Sequence, residues 1–277
     1  MKYIRKISAY IILSVLGIFM IYPVLWLIGA SFKSNSEIFS SIWFMPEKFD
    51  FSPYINGWKT SGSYTMGHYF LNTFKIVIPR VIFSVVSSTV TAYGFAMYDF
   101  PFKKIIFSCL MCVLFIPQTV MLLPSYTMWQ KFGVLDTYIP LVLPSLFVNE
   151  GMFVFMLIQF FKSVPREIGE ASQIDGCGAL KRLLFIYVPC IKPAVISVGV
   201  FVFLWTMNEF IQPLMYISSV EKYPLTLALR MSSDSTGQGY EYNKIIAISV
   251  IGLIPSVSVF ALAQKYFIQD ITAGGLK

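Results

Sequence analysis

Six stretches of this chain are apolar over lengths that suit a bilayer, and the polar gaps between them set the rest of its organisation. The runs fall at about 7–30, 69–97, 104–123, 138–161, 190–211 and 244–267. A helix rising 1.5 Å per residue needs about 20 residues to traverse roughly 30 Å of hydrocarbon, so each run predicts one transmembrane helix. An even number of spans returns both termini to the same side. The gap at 32–67 carries Pro46, Pro53, three lysines and several aromatic residues. It is too polar to span and too short to be an independent domain, and is expected to cap one face. Asp99 to Lys104 reads as a tight hairpin. Pro124 to Asp136 holds Tyr126, Met128, Trp129 and Phe132 ahead of Gly133; Trp and Tyr favour the headgroup region, which predicts a short interfacial helix there. Pro79, Pro117 and Pro255 fall inside spans and mark places to bend.

Composition fixes the solvent. Of the 277 residues 56% are hydrophobic and 13% charged, against about 45–50% and 25% in soluble domains, so the chain reads as an all-α integral membrane protein of one domain over 1–277. The basic start Lys2, Arg5, Lys6 resembles the opening of a signal peptide, but the apolar run behind it is too long for a cleavable segment, and a retained anchor is expected. Charge then orients the spans. One side holds Lys2, Arg5, Lys6, Lys103, Lys104, Lys162, Arg166, Lys181, Arg182, Lys192, Lys265 and Lys277, which is 12; the other holds Lys33, Lys48, Lys59, Lys131, Lys222, Arg230 and Lys244, which is 7. The richer side is expected to be cytoplasmic, together with both termini and the tail at 268–277. This asymmetry accounts for the net charge of +7, and no basic run suggests nucleic acid. Cys109 and Cys112 share one face of an apolar helix, where cysteine behaves as a small hydrophobe. With a single histidine, His68, no metal site is expected.

The gap at 162–189 carries the mechanism. Ser163 and Pro165 supply a helix start, and Glu167 and Glu170 fall in the opening turns, where the helix dipole favours a carboxylate. Residues 166–174 then read as a short amphipathic helix ending at Asp175-Gly176, since glycine tolerates a left-handed turn. A second short helix from Ala179 to Tyr187 leads to Pro189 and back toward the membrane. The expected geometry is a helix–turn–helix elbow lying along the membrane surface, with Ala171 and Ser172 small enough to let a partner approach. A generic loop has no reason to combine Glu-Ala-Ser, a glycine four residues on, and Ile-Tyr-Val-Pro.

That spacing resembles the EAA loop of ABC-importer permeases, and the chain is similar to the smaller partner of the maltose-type carbohydrate pair from about Tyr22 to Lys277. The shared segments are Pro23-Val24-Leu25-Trp26, Ser31-Phe32-Lys33, Asn72-Thr73, Ala92-Tyr93-Gly94-Phe95-Ala96, Gly133-Val134-Leu135-Asp136-Thr137, Trp205-Thr206-Met207-Asn208-Glu209-Phe210 and Tyr223-Pro224-Leu225-Thr226-Leu227. Ser172 stands where Ala is usual and Val188 where Leu is, and Gln269-Asp270 departs from the pattern before the tail. The resemblance implies a type I importer permease fold in a bacterial inner membrane. It implies that Glu167, Glu170, Ala171, Ser172, Asp175, Gly176 and Pro189 form coupling helices docked on a cytoplasmic ATPase, and that Thr272, Ala273, Gly274 and Gly275 reach into the ATPase dimer. The implied partners are a second homologous permease, two copies of a P-loop ATPase binding ATP and Mg, and an extracellular solute-binding protein. The chain has no Gly-x-x-x-x-Gly-Lys-Ser/Thr loop of its own and is expected to be a transport subunit rather than an enzyme.

Asn149, Glu150, Asn208 and Glu209 are the candidate pathway residues. Ionisable groups at membrane depth face a cavity or a partner; pairing of the two glutamates with Lys75 or Arg80 across the bundle weighs equally. A carbohydrate, as an oligosaccharide, is the expected cargo. Lys75 and Arg80 keep glycerol 3-phosphate or another small solute open. A secondary carrier using the intramembrane charges is the remaining alternative, although no internal repeat or broken central helix is conspicuous in the sequence.

Overall fold

A computed structural model describes residues 2–59, 64–234 and 241–274. Among them the regular secondary structure is helical, apart from one isolated antiparallel bridge between Lys59 and Thr65. It forms two compact units, Met1–Phe70 with Leu225–Ile254, and Leu71–Pro224 with Pro255–Lys277.

The first unit begins with the helix Lys2–Ala30, which is apolar and almost wholly uncovered. Ile18 and Phe19 are 72% and 76% exposed, an arrangement that water would penalise and hydrocarbon does not. The chain then folds back on the end of this helix. A Cβ on Gly29 would overlap the Phe44 carbonyl, so only glycine lets segment 41–44 lie across that turn. Lys33, fully buried, aims its ammonium at the Trp43 carbonyl and at that of Ser41, 3.4 Å away. The Phe32 ring packs against Phe49, Phe51 and Tyr54 at 5.5, 5.1 and 5.4 Å. Ser31-Phe32-Lys33 therefore organises the capping segment, which contains two short helices, Asn35–Ser40 and Ser52–Trp58.

In the second unit the core lies between the helices Gly151–Ser163 and Lys192–Met207 and the part of helix Met66–Met97 that follows Phe70. Gly151–Ser163 buries Phe153, Val154, Leu157, Ile158 and Phe161, the i, i+3/i+4 stripe of a helix with one inward face. Phe153, Phe201 and Trp205 stack beside it. The hairpin before Lys103–Val113 turns at Phe102, whose φ is +62°, and Lys103 closes it by pairing with Asp99 at 3.0 Å.

Four helical segments are long and apolar enough to cross a membrane: Lys6–Ala30, Met66–Met97, Ile139–Ser163 and Tyr242–Tyr266. The number reaches six if each of two bent pairs is one span. The run at 104–123 is not one helix. It stops at Val113, turns by 101° through Leu114–Pro117, and resumes as Gln118–Lys131. Pro117 stands at the new start, where its missing N–H costs nothing, and a single helix occupies the place of the expected interfacial one. Pro79 and Pro255 instead stay within continuous helices. Within the run at 190–211 the continuous helix is Lys192–Met207, bent by 85° from the preceding Ala179–Cys190. Ile139–Ser163 is also interrupted: a 3₁₀ turn at Leu143–Phe147 ends at Val148, φ +60°, and helix resumes at Gly151. A broken helix is thus present where none was expected, flanked by Pro144 in the 3₁₀ turn and Gly151 at the restart.

Candidate functional site

The elbow is built on a glycine. Helix Arg166–Ile174 follows Pro165 without a side-chain cap. Ser163, expected to start it, closes the preceding helix instead, its hydroxyl donating to the Phe160 carbonyl at 2.8 Å. Glu167 lies in the first turn, Asp175 at the C-cap, and Gly176 has φ +77°, the left-handed turn expected there. The second arm, Ala179–Cys190, is longer than expected, contains a π-helical stretch at Leu183–Tyr187, and carries Pro189 inside it.

One face of this elbow is bolted to the core. Gly169 is buried against the Tyr187 hydroxyl, and the Ser172 hydroxyl donates to the Gly169 carbonyl at 2.6 Å. Ser172 therefore points inward and offers nothing to a partner, unlike the sequence expectation. The Tyr187 ring packs on Tyr93 and Phe161 at 5.4 and 6.1 Å. Tyr93 donates to the Ala179 carbonyl at 3.3 Å, and Arg182 donates to Tyr98 and Gln173 at 3.2 Å each. These contacts fasten both arms to the end of Met66–Met97. On the opposite face Glu167, Glu170, Ala171 and Asp175 are exposed beside Ile174, Leu180, Leu184 and Phe185, with Ile174 87% and Phe185 75% exposed. A carboxylate rim around uncovered apolar side chains is the composition of a protein-docking surface. In the tail, Thr272, Ala273 and Gly274 end the helix Tyr242–Gly274, and Gly275 lies outside the described residues.

The pathway candidates separate into two places. Glu150 sits in the break before Gly151, and its carboxylate accepts from Arg80 at 3.2 Å, Ser84 at 2.9 Å and the Asn149 amide at 3.3 Å. Both charged side chains are about nine-tenths buried. Of the two pairings considered for Glu150, the one with Arg80 forms; Lys75 instead donates to Asn72 at 3.1 Å. Arg80 and Asn149 line a cavity of about 350 Å³ with Ser125, Met128, Trp129, Phe147, Gln212 and Tyr216 among its walls. Asn208 folds back on the Leu204 carbonyl at 2.7 Å. Glu209 accepts from the Ile211 and Gln212 amides at 3.1 and 3.3 Å, holding the start of helix Ile211–Tyr216. Trp129, Gln212 and Tyr216 were not legible as cavity residues, since Trp129 comes from a helix far in sequence from the one that carries Gln212 and Tyr216 one turn apart.

A second polar cluster explains two of the shared segments. Asp136, at φ +58°, accepts from the amides of Ser218 and Ser219 and from the Ser219 hydroxyl, and pairs with Lys222 at 2.7 Å. Lys222 and Ser219 hold its carboxyl well below the usual carboxylate range. The Asn72 amide donates to the Glu221 and Tyr223 carbonyls at 2.7 and 3.1 Å, and the Tyr138 hydroxyl donates to that of Lys222 at 3.1 Å. Asn72, Asp136 and Tyr138 thus pin one loop from three sides.

Comparison with known proteins places these features. Residues 81–272 match the family model described as binding-protein-dependent transport system inner membrane component. The diacetylchitobiose uptake system permease protein NgcG of Streptomyces coelicolor is 28% identical over 93% of this chain and 84% of its own. The arabinooligosaccharides transport system permease protein AraQ of Bacillus subtilis is 27% identical over 99% and 96%. A crystal structure of a bacterial ABC transporter involved in the import of the acidic polysaccharide alginate contains a chain with the same fold, at TM-score 0.78 and 20% identity over 96% of this chain and 97% of that one. The matched residues take in the bolted elbow, the Glu150 break and the Asp136 clamp, and the chain belongs to the binding-protein-dependent inner membrane component family, as a permease subunit of an ABC transporter and not itself an enzyme.

Proposed function

We propose that this chain moves an oligosaccharide inward across a bacterial cytoplasmic membrane by ATP-driven alternating access. Its partners are a second homologous permease, two copies of a cytoplasmic P-loop ATPase that bind ATP and Mg, and an extracellular solute-binding protein. The lysine and arginine asymmetry supports a topology with both termini and the elbow in the cytoplasm. The names of the relatives, two of which refer to oligosaccharides, support the cargo.

The observation that carries this reading is the two-sided elbow, bolted to Met66–Met97 on one face and uncovered on the other. In the proposed cycle closure of the ATP-bound ATPases draws the elbows together, and the contacts of Tyr187, Tyr93 and Arg182 pass that displacement to the bundle, which opens outward to the binding protein. Hydrolysis resets it inward. Glu170 pairs with a basic residue of the ATPase, Glu167, Ala171 and Asp175 flank that contact, Gly176 and Pro189 set the angle of the arms, and Ser172 stiffens the first arm from within. Thr272, Ala273, Gly274 and Gly275 extend toward the ATPase dimer.

The test is purification of the tagged chain from its own membranes in mild detergent, mass spectrometry of the proteins that accompany it, and uptake of labelled oligosaccharides. A second permease and a P-loop ATPase are expected. Removing one member of an interfacial ion pair costs about 2–5 kcal/mol, so Glu170→Ala should lose the ATPase and abolish uptake while the chain stays in the membrane. Normal uptake by that variant would overturn the coupling role.

A further inference from the structure

We infer that the cavity lined by Arg80 and Asn149 is a saccharide subsite for uncharged rings, in which Arg80 reads hydroxyl groups and Glu150 cancels its charge so that acidic sugars and phosphates are refused. The inference rests on the oligosaccharide reading above and narrows it to a charge class.

Size and lining fit a sugar ring. About 350 Å³ lies within the range of small-molecule sites, which combine apolar walls with a few polar groups that fix orientation. Trp129 and Tyr216 offer aromatic faces, and Asn149 and Gln212 offer amides that both donate and accept. Arg80 is the unusual member. It carries five N–H donors, its side chain is about nine-tenths buried, and its hydrogen bond goes from one terminal nitrogen to Glu150, while Nε is enclosed and the other terminal nitrogen is the donor left for the cavity. Buried donors are normally satisfied. A guanidinium held at a cavity wall with donors to spare is suited to oxygen acceptors arriving from the cavity.

Charge decides which oxygens. Among the described residues Arg80 is the only ionised one in the lining. Glu150 lies 3.2 Å from it, and Glu209 holds the amide of Gln212 on the same wall. The ion pair of Arg80 with Glu150 leaves that wall without net positive charge. An anion would have to displace Glu150 or sit beside its like charge, whereas a hydroxyl accepts from Arg80 with the ion pair intact.

The experiment uses the purified importer, with its ATPase and second permease but without binding protein, so that the binding protein's own selectivity does not enter. Equilibrium binding of the tritiated saccharide identified in the uptake screen is competed with trigalacturonate and with glycerol 3-phosphate. On the intact complex both anions should compete at least about tenfold more weakly than the unlabelled saccharide, as expected where like charges are juxtaposed. Glu150→Gln should weaken saccharide binding and admit trigalacturonate. Arg80→Gln/Glu150→Gln, neutral again, should not admit it, and Trp129→Ala should weaken saccharide binding about tenfold. Anions competing as well as the saccharide on the intact complex, no saccharide binding to it at millimolar concentration, or equal competition profiles for the intact complex and Glu150→Gln would each overturn the inference. If the imported solute is an acidic saccharide, this inference falls and the oligosaccharide reading stands. If no saccharide is imported at all, both fall.

Discussion

A single methyl group on Gly169 would collide with the Tyr187 hydroxyl, and that hydroxyl cannot retreat because its ring is packed on Tyr93 and Phe161. Overpacking of this kind costs about 1–3 kcal/mol. Gly169→Ala should lower the thermal midpoint of the detergent-purified chain and reduce ATPase recovery, and adding Tyr187→Phe, which deletes the clashing oxygen, should restore much of both. At the Asp136 clamp the sign of the pH dependence follows from the lowered pKa. A carboxyl whose folded pKa lies below its unfolded value of about 3.9 stabilises fully above that value and loses the contribution as pH falls through the folded pKa. Asp136→Asn should therefore destabilise the protein at pH 7, by about 1–3 kcal/mol for hydrogen bonds to a charged group. The difference from the unchanged chain, followed by thermal unfolding, should shrink as pH falls below about 4.

The elbow was the element most legible in sequence, because its turn is set by residue type: Asp175-Gly176 ends the first arm where left-handed backbone is required. No atom lies near a Cβ added at Gly176, so a substitution there meets only the conformational penalty, about 1–2 kcal/mol for most residues. Gly176→Ala should weaken recovery of the ATPase with the chain, and Gly176→Asn, whose side chain tolerates that conformation, should weaken it less. Other features left weaker marks. Ser172 reads as a small surface residue, and only the position of Gly169 beneath it shows that it faces inward. Pro117 signalled a bend but not its 101°, since a proline can sit inside a helix as Pro79 does or begin a new one. The break at Val148 is flanked by Pro144 and Gly151, which fix neither its position nor its geometry; the tertiary contacts of Glu150 with Arg80 and Ser84 lie within it. The cavity was opaque for the same reason.

At the scale of the whole molecule the exposed surface is that of a part rather than of a finished particle. The helix Lys2–Ala30 needs lipid or another chain along its length, and the outer face of the elbow leaves Ile174 and Phe185 uncovered among carboxylates. Lipid can satisfy the first of these but not the second, which in the proposed topology stands in water. Until the ATPase covers it, that face is the kind of surface that chaperones and membrane proteases survey. The chain would then be an orphan with a short life, and the amount of permease would be trimmed to the supply of its motor without a dedicated regulator. In a strain lacking the ATPase a pulse–chase measurement should find its half-life shortened several-fold, and replacing Ile174 and Phe185 with serine should lengthen it in that strain alone. The same two side chains would act as an adhesive in the assembled importer and as a degradation signal outside it.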